Sequence, residues 1–248
     1  MPVLGVIPAR LGSTRLIHKP LQLLAGEPLV TRVIQRVRSL GLVDTLIVAT
    51  DSTMIARIAE LSGVRAVLTS EAHETGTERV AEVGRMEEFG DHEVIVNIQG
   101  DEPFLPRAAL AGAIDRVRAG EDIGTAAAPL DATDVNDPSR VKVVTDERGR
   151  ALYFSRAAIP FRRDGASGAM PSLYWQHLGV YAFRRDVLAR WSGLSAAPAE
   201  AAEKLEQLRA LHHGMTIGVA RLDAPAHPGV DTPDDLRRAE AHWFRQES

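Results

Sequence analysis

The amino-acid sequence predicts an α/β protein with a mostly parallel, doubly wound sheet, and three observations carry that prediction. Short apolar runs alternate with segments whose apolar residues recur at helical spacing through the first half of the chain. These runs are apolar almost throughout, which is typical of strands covered by helices on both faces. The length of 248 residues, of which 45% are hydrophobic and 25% charged, fits one large domain or a core with a small appendage.

Strands and helices alternate through the first hundred residues. The predicted strands cover residues 3–7, 45–49, 65–68 and 93–98, and the predicted helices cover 28–40, 53–61 and 75 to about 89. Pro8 interrupts the first apolar run, and Gly41 ends the first helix. The third helix begins at Thr75-Gly76-Thr77-Glu78, which has the form of a capping box.

The pattern changes in the second half of the chain. A helix over 106–117 and a strand over 124–128 precede a β-hairpin of 141–144 and 151–154, followed by a strand over 173–183, a helix over 199–212 and a strand over 216–220. Thr232 is expected to cap a C-terminal helix that starts with Pro233. Residues 163–171, rich in glycine and charge, are expected to form a mobile loop.

Charge and composition exclude several classes of protein. A net charge of −4, from 29 basic and 33 acidic residues, gives no footprint of a nucleic-acid-binding protein. The absence of cysteine excludes disulfides and thiolate sites. No apolar run approaches the roughly 18 residues that span a membrane, and the apolar start lacks the basic region of a secretory signal. We therefore expect a cytoplasmic protein with neither nucleic-acid nor membrane partners.

Residues 8–20, which follow the first strand, form the first candidate site. Arg10, Arg15 and Lys19 lie here with Gly12 and Ser13, and cations with backbone N–H groups at a strand end suit a polyphosphate. The segment has neither the Walker A pattern nor the Gly-x-Gly-x-x-Gly pattern. A solvated basic loop explains the same residues equally well.

Two carboxylates are candidates for holding a hard cation. Asp101 follows the fourth strand, and Mg²⁺ in proteins takes one or two carboxylates together with phosphate oxygens and water. Taken alone, residues 100–103 are more typical of a plain turn. Asp231 precedes the last helix, where an acidic residue is favoured by the helix dipole in any case. Spacing does not decide between these interpretations.

Ten short motifs, taken together and in order, resemble one family. They cover residues 7–10, 13–16, 19–20, 48–51, 76–79, 97–103, 153–156, 177–181, 205–209 and 229–236. The sequence resembles the 3-deoxy-manno-octulosonate cytidylyltransferases, or CMP-Kdo synthetases, from about residue 3 to about residue 240. Residues 99–103 and 205–209 are the most specific segments.

The resemblance implies a fold and a reaction. The fold is the nucleotide-diphospho-sugar transferase type, with a small β-rich dimerisation and sugar-binding subdomain over about residues 142–183 inserted in a single domain of residues 1–248. CTP and the acid sugar Kdo give CMP-Kdo and pyrophosphate, for lipopolysaccharide synthesis, by in-line attack of the anomeric hydroxyl on the α-phosphate. The resemblance also implies a homodimer.

It further implies a role for particular residues. The nucleotide-binding set is Pro8, Ala9, Arg10, Ser13, Arg15, Lys19, Arg79 and Gln99. The sugar-binding set is Gln99, Arg156, His177, Tyr181, Glu206 and Gln207. Asp101 and Asp231 would together ligate Mg²⁺, with a second Mg²⁺ carried largely by the triphosphate, and the residues implied in catalysis are Asp101, Lys19, Arg10 and Asp231. For Tyr181 a core aromatic and for Glu206 an exposed helix charge stay open as alternatives.

One segment departs from the family pattern. Where the family usually reads Leu-Pro-Gly-Lys-Pro, this chain has residues 16–20 as Leu-Ile-His-Lys-Pro. If the glycine position requires a positive φ, either His18 is strained there by about 1–3 kcal/mol or the loop takes another path. We expect weaker CTP binding as a result.

Other functions fit parts of the pattern. An amino-substituted Kdo is an alternative acceptor, and a UTP-dependent enzyme acting on a sugar phosphate is disfavoured by the segments 177–181 and 205–209. A nucleotide-sugar-dependent glycosyltransferase usually has an Asp-x-Asp site, which Asp101-Glu102-Pro103 lacks. A nucleotide-binding regulator that has lost catalysis would bind CTP without turnover.

Overall fold

The computed structural model describes residues 1–13, 15–163 and 173–246. The chain divides into two compact units, Met1–Leu105 with His227–Ser248, and Pro106–Ala226. From residue 164 onward, the loop expected to be mobile lies outside the described residues, as does Thr14 of the motif over residues 13–16.

The first unit contains a parallel sheet with connecting helices. Its elements, numbered along the whole chain, are β1 (Val3–Ala9), β2 (Leu23–Leu24), β3 (Glu27–Pro28), α1 (Leu29–Leu40), β4 (Thr45–Thr50), α2 (Thr53–Leu61), β5 (Arg65–Leu68), α3 (Gly76–Gly84), β6 (Val94–Asn97) and α8 (Pro233–Gln246). The strand order is β6-β1-β4-β5, and every pair in this series is parallel. The predicted α/β class is therefore confirmed.

Helical periodicity explains how α1 packs in this unit. Leu29, Val33, Ile34 and Val37 recur at helical spacing and are fully buried. Gly41 follows the helix with φ of 62°, a conformation that glycine adopts without a steric penalty. The spacing of the apolar residues and the glycine at the end of the helix are both visible in the sequence. The observed bounds of α1 therefore agree with the predicted ones to within one residue.

The capping box at the start of α3 is confirmed, whereas the predicted end of this helix is wrong. The Thr75 hydroxyl accepts a hydrogen bond from the Glu78 amide, and the Glu78 carboxylate accepts one from the Thr75 amide. The helix ends at Gly84, and Met86 is extended before a single 3₁₀ turn at Glu87–Phe89. The buried Phe89 ring continued the apolar pattern beyond the end of the helix.

The second unit combines one parallel and several antiparallel strand pairs. Its elements are α4 (Arg107–Arg118), β7 (Ile123–Pro129), β8 (Lys142–Thr145), β9 (Ala151–Ser155), β10 (Trp175–Arg184), α5 (Arg185–Trp191), α6 (Pro198–Glu203), α7 (Gln207–His212) and β11 (Ile217–Arg221). Strand β7 pairs with β11 in parallel and with β10 in antiparallel orientation. Strands β8 and β9 form the predicted hairpin. The subdomain predicted over about 142–183 falls within this unit, and its dimerisation role stays a prediction.

Two features of the second unit differ from the sequence prediction. The single helix expected over 199–212 is interrupted by Lys204, whose φ of 54° ends α6, and α7 starts at Gln207. Lysine has no special preference for this left-handed conformation, so residue type gave no signal. Helix α5 was not predicted, because the preceding strand β10 runs directly into it.

None of the helices in the described part of the chain is long and apolar enough to cross a membrane.

Candidate functional site

A cavity of about 280 Å³ lies in the first unit where the loops after β1 and β6 meet. Parallel neighbouring strands end at the same edge of a sheet, so these loops are close in space although far apart in sequence. All of the predicted nucleotide-binding residues line it: Pro8, Ala9, Arg10, Ser13, Arg15, Lys19, Arg79 and Gln99. Both predicted metal ligands, Asp101 and Asp231, line it too.

Two glycines allow these loops to approach each other. A Cβ at Gly100 would lie 3.0 Å from the Pro8 carbonyl oxygen, and a Cβ at Gly76 would lie 3.2 Å from Pro8 Cγ. The backbone after β6 and the start of α3 therefore pack directly against the end of β1. Because nothing larger than glycine is present at these positions, both motifs reach the cavity.

An ion-pair network joins three loops at the cavity. Lys19 Nζ lies 2.5 Å from Asp101 Oδ2 and 3.0 Å from Asp231 Oδ1. Arg15 Nη2 lies 3.1 Å from the same Asp231 oxygen. Burial lowers the pKa of Lys19, but the charges of Asp101 and Asp231 outweigh it, so that the net shift is upward. Lys19 is therefore a cation held between two carboxylates.

Glu102 was not selected from the sequence, yet it belongs to this acidic site. Burial raises the pKa of Glu102 to about 8, and the charges of Asp101 and Asp231 act in the same direction, while Lys19 opposes them. A Cβ at Gly229 would lie 3.2 Å from Glu102 Oε1, so the loop carrying Asp231 packs against this carboxyl group. Its position beside Asp101, within the motif of residues 97–103, was the signal available in the sequence.

Helix α8 brings Asp231 to the cavity. The Asp231 and Thr232 amides both donate to Asp235 Oδ2, at 3.2 and 2.9 Å, and the Thr232 hydroxyl accepts from the Asp235 amide at 3.2 Å. Thr232 is thus the N-cap that the sequence predicted. The Val230 amide donates to the Asp101 carbonyl at 2.9 Å, which links the two carboxylate loops directly.

An apolar cluster lies beneath the three loops. Its buried members are Leu16, Leu24, Leu29, Val230 and Ala239, with Phe104, Leu236 and Trp243 packed against them. Leu16 lies between Arg15 and Lys19 in sequence, and Val230 precedes Asp231. Burial of these side chains therefore fixes the backbone that carries the charged groups.

Arg79 is held on a different side of the cavity. Its side chain is 2% exposed, and Nη2 lies 2.7 Å from Asp51 Oδ2 while Nη1 donates to the Thr69 hydroxyl. A buried guanidinium with two such partners has a fixed orientation. The segment 48–51, which the motifs singled out, therefore supplies the partner of Arg79 and does not line the cavity.

His18 adopts the conformation that glycine favours. Its φ and ψ are 50° and 40°, at the start of the 3₁₀ turn Lys19–Leu21. The expectation that this position needs a positive φ is confirmed. Lys19 follows immediately, so the left-handed residue determines where the bridging ammonium group lies.

Asp101 and Asp231 are the residues that fit a divalent metal ion. No cluster of three or more histidine, aspartate or glutamate side chains suited to a metal occurs within the described residues. However, oxygens from the two aspartates already converge on one cation, the Lys19 ammonium group. Two carboxylates are what Mg²⁺ takes from a protein when phosphate and water supply its other ligands.

The remaining sugar candidates lie in the second unit. His177 and Tyr181 are on β10 with ring centroids 5.2 Å apart, and Phe154 contacts His177 at 5.0 Å. Burial lowers the pKa of His177 to about 3 and, with the charge of Glu206, raises that of Tyr181. Both side chains are partly exposed, so Tyr181 is not a fully buried core aromatic.

Arg156 and Gln207 have surroundings that the sequence did not predict. The Arg156 guanidinium donates to the carbonyl oxygens of Glu203, Pro138 and Lys204 at 2.7, 2.9 and 3.4 Å. Gln207 is 9% exposed at the start of α7. The binding of a sugar carboxylate by Arg156 stays a prediction, since its hydrogen bonds here are to main chain. Gln99 belongs to the first unit and lines the cavity.

Several cavity residues were not selected from the sequence. Gly12 had been placed in the candidate polyphosphate loop, whereas the cavity residues that were not selected are Pro20, Thr75, Gly76 and Gly100. Each adjoins or belongs to a motif that was recognised, so motif membership was the available signal. They had been interpreted only as turn or capping residues, because small side chains and main-chain groups carry no chemical pattern of their own.

The fold and the site together define a class. A parallel α/β sheet, a basic loop after its first strand, and two carboxylates gathered on one cation are typical of proteins that bind nucleotide phosphates with a divalent metal ion. The comparisons with known proteins narrow that class further.

A sequence model of the cytidylyltransferase family matches residues 4–217. The 3-deoxy-manno-octulosonate cytidylyltransferase of Gemmatimonas aurantiaca is 51% identical over 245 residues, covering 98% of this chain and 95% of that protein. The enzyme of the same name from Methylococcus capsulatus is 44% identical, covering 96% and 95%. The chain therefore belongs to the cytidylyltransferase family and, within it, to the 3-deoxy-manno-octulosonate cytidylyltransferases.

Solved structures agree with this membership. The structure of a CMP:2-keto-3-deoxy-manno-octonic acid synthetase complexed with CTP superposes with a TM-score of 0.90 at 35% identity, covering 99% of this chain and 100% of that chain. A 4-diphosphocytidyl-2C-methyl-D-erythritol synthase from Anaerococcus prevotii has a TM-score of 0.64 at 13% identity, covering 98% and 99%, and is similar in fold alone.

The raised pKa of Glu102 predicts a pH dependence of stability. The folded chain keeps a proton on Glu102 up to about pH 8, whereas in the unfolded chain the group titrates near its ordinary value of 4.5. The contribution of Glu102 to the free energy of unfolding is therefore greatest at low pH, and it is lost as the pH rises from about 4.5 to about 8. The measurement is urea unfolding in the presence of a metal chelator. As the pH rises from about 5 to about 8, the urea concentration at the unfolding midpoint should fall for the wild type relative to Glu102→Gln.

The matched control is Glu60→Gln, whose side chain on α2 is 55% exposed. This variant should keep the wild-type dependence on pH. Parallel curves for the wild type and Glu102→Gln across the whole window would show that Glu102 titrates at its ordinary pKa.

Proposed function

We propose that this chain transfers CMP from CTP to 3-deoxy-D-manno-octulosonate. The anomeric oxygen of the sugar bonds to the α-phosphorus, the bond from that phosphorus to the bridging oxygen breaks, pyrophosphate leaves, and the hydroxyl proton passes to solvent. The observation that carries the proposal is the cavity in which the predicted nucleotide residues meet Asp101 and Asp231. Membership of the family identifies the reaction that we propose for this cavity.

The basic loop provides charge for the triphosphate. Arg10 is exposed at the end of β1 and lines the cavity with Ser13. Cationic side chains and hydroxyl groups bind phosphate oxygens through charge-assisted hydrogen bonds. Arg10 and Ser13 would therefore hold the triphosphate from one side, and Arg79, fixed by Asp51, would face the nucleoside.

Lys19 would change partners during the reaction. In the substrate-free chain it neutralises Asp101 and Asp231 and keeps their oxygens together. If the two carboxylates held Mg²⁺, repulsion between like charges would favour contact of the Lys19 ammonium group with the triphosphate instead. The same residue thus preserves the site before substrate binds and adds positive charge when substrate is present.

The cofactor proposed for this site is Mg²⁺, held by Asp101 and Asp231. When bound, it would neutralise charge on the α-phosphate and lower the pKa of the sugar hydroxyl. The two carboxylates would provide ligands from separate loops, and the hydrogen bond from Val230 to Asp101 would keep those loops in place. A second Mg²⁺ would be carried largely by the triphosphate.

The acid sugar would contact the residues that the family resemblance implies. Its proposed partners are Gln99, Arg156, His177, Tyr181, Glu206 and Gln207. The neutral state of His177 suits hydrogen bonding to sugar hydroxyl groups, since the pKa near 3 leaves the ring uncharged. Product formation would serve lipopolysaccharide synthesis in the cytoplasm.

Pyrophosphate release tests the reaction and the metal ligand together. With CTP, Mg²⁺ and Kdo, the wild type should release pyrophosphate only when Kdo is present. Asp101→Asn should reduce kcat by at least about 100-fold, because it removes charge at the position that stabilises the transition state. The control Asp115→Asn changes an aspartate that is 71% exposed on α4, and it should retain wild-type activity.

Two outcomes of this assay would contradict the proposal. Release that does not depend on Kdo would exclude it as the acceptor. Release equal in the wild type and Asp101→Asn would exclude Asp101 from the metal site. If CTP binds and Kdo gives no release, an amino-substituted Kdo is the acceptor to assay next.

Because His18 has a strained backbone conformation, we expect that replacing it with glycine increases the affinity for CTP. Glycine adopts a positive φ without the cost of about 1–2 kcal/mol that other residues carry, so Lys19 should be placed correctly more often. Ile17→Pro with His18→Gly should lower the KM for CTP by up to about 10-fold. His18→Ala removes the imidazole but keeps the strain, and should give no such gain. Unchanged KM and kcat in the double variant would contradict this explanation.

The homodimer is proposed on the surface of the second unit. Leu152 and Phe161 are 62% and 85% exposed, and Tyr153 is 36% exposed. Strand β9, which carries two of them, is the last in the described series β10-β8-β9. An apolar strand at such a position is a surface that a second copy covers.

A charge on this surface should separate the protomers. Leu152→Glu should convert a dimer to a monomer in sedimentation velocity measurements, because burying the carboxylate carries a large desolvation cost. The same substitution at Leu61, which is 71% exposed on α2, is the control and should leave the dimer intact. A monomeric wild type at micromolar concentration would contradict the proposal.

A further inference from the structure

Strand β10 departs from regular pairing with β7 next to a buried threonine. Leu178 pairs with Ala126 and Tyr181 pairs with Thr125, so the residues between Leu178 and Tyr181 form a bulge. Thr125 is fully buried. None of the family motifs includes it, and it lies in the second unit.

The Thr125 hydroxyl has three polar neighbours. The carbonyl oxygens of Val180 and Leu178 lie 2.8 and 3.2 Å from Oγ1, and His177 Nε2 lies 3.0 Å from it. A hydroxyl group has one proton to donate, and the two carbonyl groups can only accept. Thr125 therefore donates within the bulge, and His177 Nε2 donates to Thr125.

This arrangement sets the tautomer of His177. Burial lowers the pKa of His177 to about 3, so the ring carries a single proton at neutral pH. With that proton on Nε2, the other nitrogen, Nδ1, has a lone pair that can only accept. Among the described residues, no hydrogen-bond partner is found for Nδ1.

Neighbouring rings hold the imidazole in this orientation. Phe154 is fully buried and meets His177 edge-on at 5.0 Å and 81°. Tyr181 lies 5.2 Å away on the same strand, and the His177 amide donates to the Val141 carbonyl at 2.8 Å. Rotation of the ring would break the contact with Thr125 and disturb both aromatic contacts.

We propose that Thr125 is a positioning residue that fixes His177 as the Nε2-protonated tautomer, so that Nδ1 accepts a hydrogen bond from a hydroxyl group of the sugar. The inference rests on the proposed function for the identity of the sugar. The tautomer itself is a property of the substrate-free chain. Thr125 touches no substrate, and it acts through His177.

The tautomer is measured by nitrogen-15 NMR of histidine-labelled protein without substrate. Loss of one ring signal in His177→Gln identifies His177 among the eight histidines. The wild type should show a protonated Nε2 and an unprotonated Nδ1. This result would be independent of whether Kdo is the acceptor, and a protonated Nδ1 in the wild type would overturn the proposal.

Two substitutions at Thr125 test its role in sugar binding. Thr125→Val keeps the shape and removes the hydroxyl, so the ring should populate both tautomers, and the KM for Kdo should rise about 3- to 10-fold. The KM for CTP should stay within about 2-fold, since no CTP contact changes. Thr125→Ser restores a hydroxyl and should restore both the tautomer and the KM for Kdo.

The outcomes separate this proposal from the proposed function. If the wild type gives no Kdo-dependent turnover, the proposed function fails while the NMR result still decides the tautomer. An equal rise in both KM values for Thr125→Val, without rescue by serine, would show a merely structural role. If the valine variant does not fold, the wild-type tautomer and the serine variant still decide the question.

Discussion

The position of one ammonium group determines how this active site is built. Lys19 lies between Asp101 and Asp231, and those three residues come from loops separated by up to 212 positions in sequence. Two carboxylates that face each other repel, and a cation between them turns the repulsion into attraction. The ammonium group thus holds the loops of Asp101 and Asp231 together.

Several weaker interactions keep this arrangement from depending on charge alone. The apolar cluster anchors Leu16 and Val230, which adjoin the charged residues, and one backbone hydrogen bond joins the loops of Asp101 and Asp231. Surface ion pairs contribute little by themselves because water screens them. Here the apolar packing fixes the backbone of the loops, and the ion pairs fix the orientation of the charged side chains. Burial, assisted by the charges of Asp101 and Asp231, raises the pKa of Glu102 beside this network to about 8.

The sequence predicted which residues line the cavity better than it predicted the hydrogen bonds and ion pairs between them. Parallel strands that end at one edge bring their following motifs together, so the order of motifs was enough to collect Arg10, Lys19 and Asp101. The bridge from Lys19 depends on side-chain conformations in three loops, which no local pattern encodes. The same holds for the bulge that Thr125 fills, whose partners lie more than fifty positions away. Lys204 ended a helix by a backbone conformation that lysine does not signal.

The first unit is discontinuous in sequence, since the second unit is encoded between its two parts. Its final segment carries Asp231 and the helix that caps it. During synthesis the nucleotide loop and Asp101 leave the ribosome early, but the second carboxylate follows more than a hundred residues later. The nascent chain therefore contains Lys19 and Asp101 while Asp231, the second carboxylate of the ion-pair network, is still missing. Translation therefore completes the ion-pair network only after the whole second unit has been made.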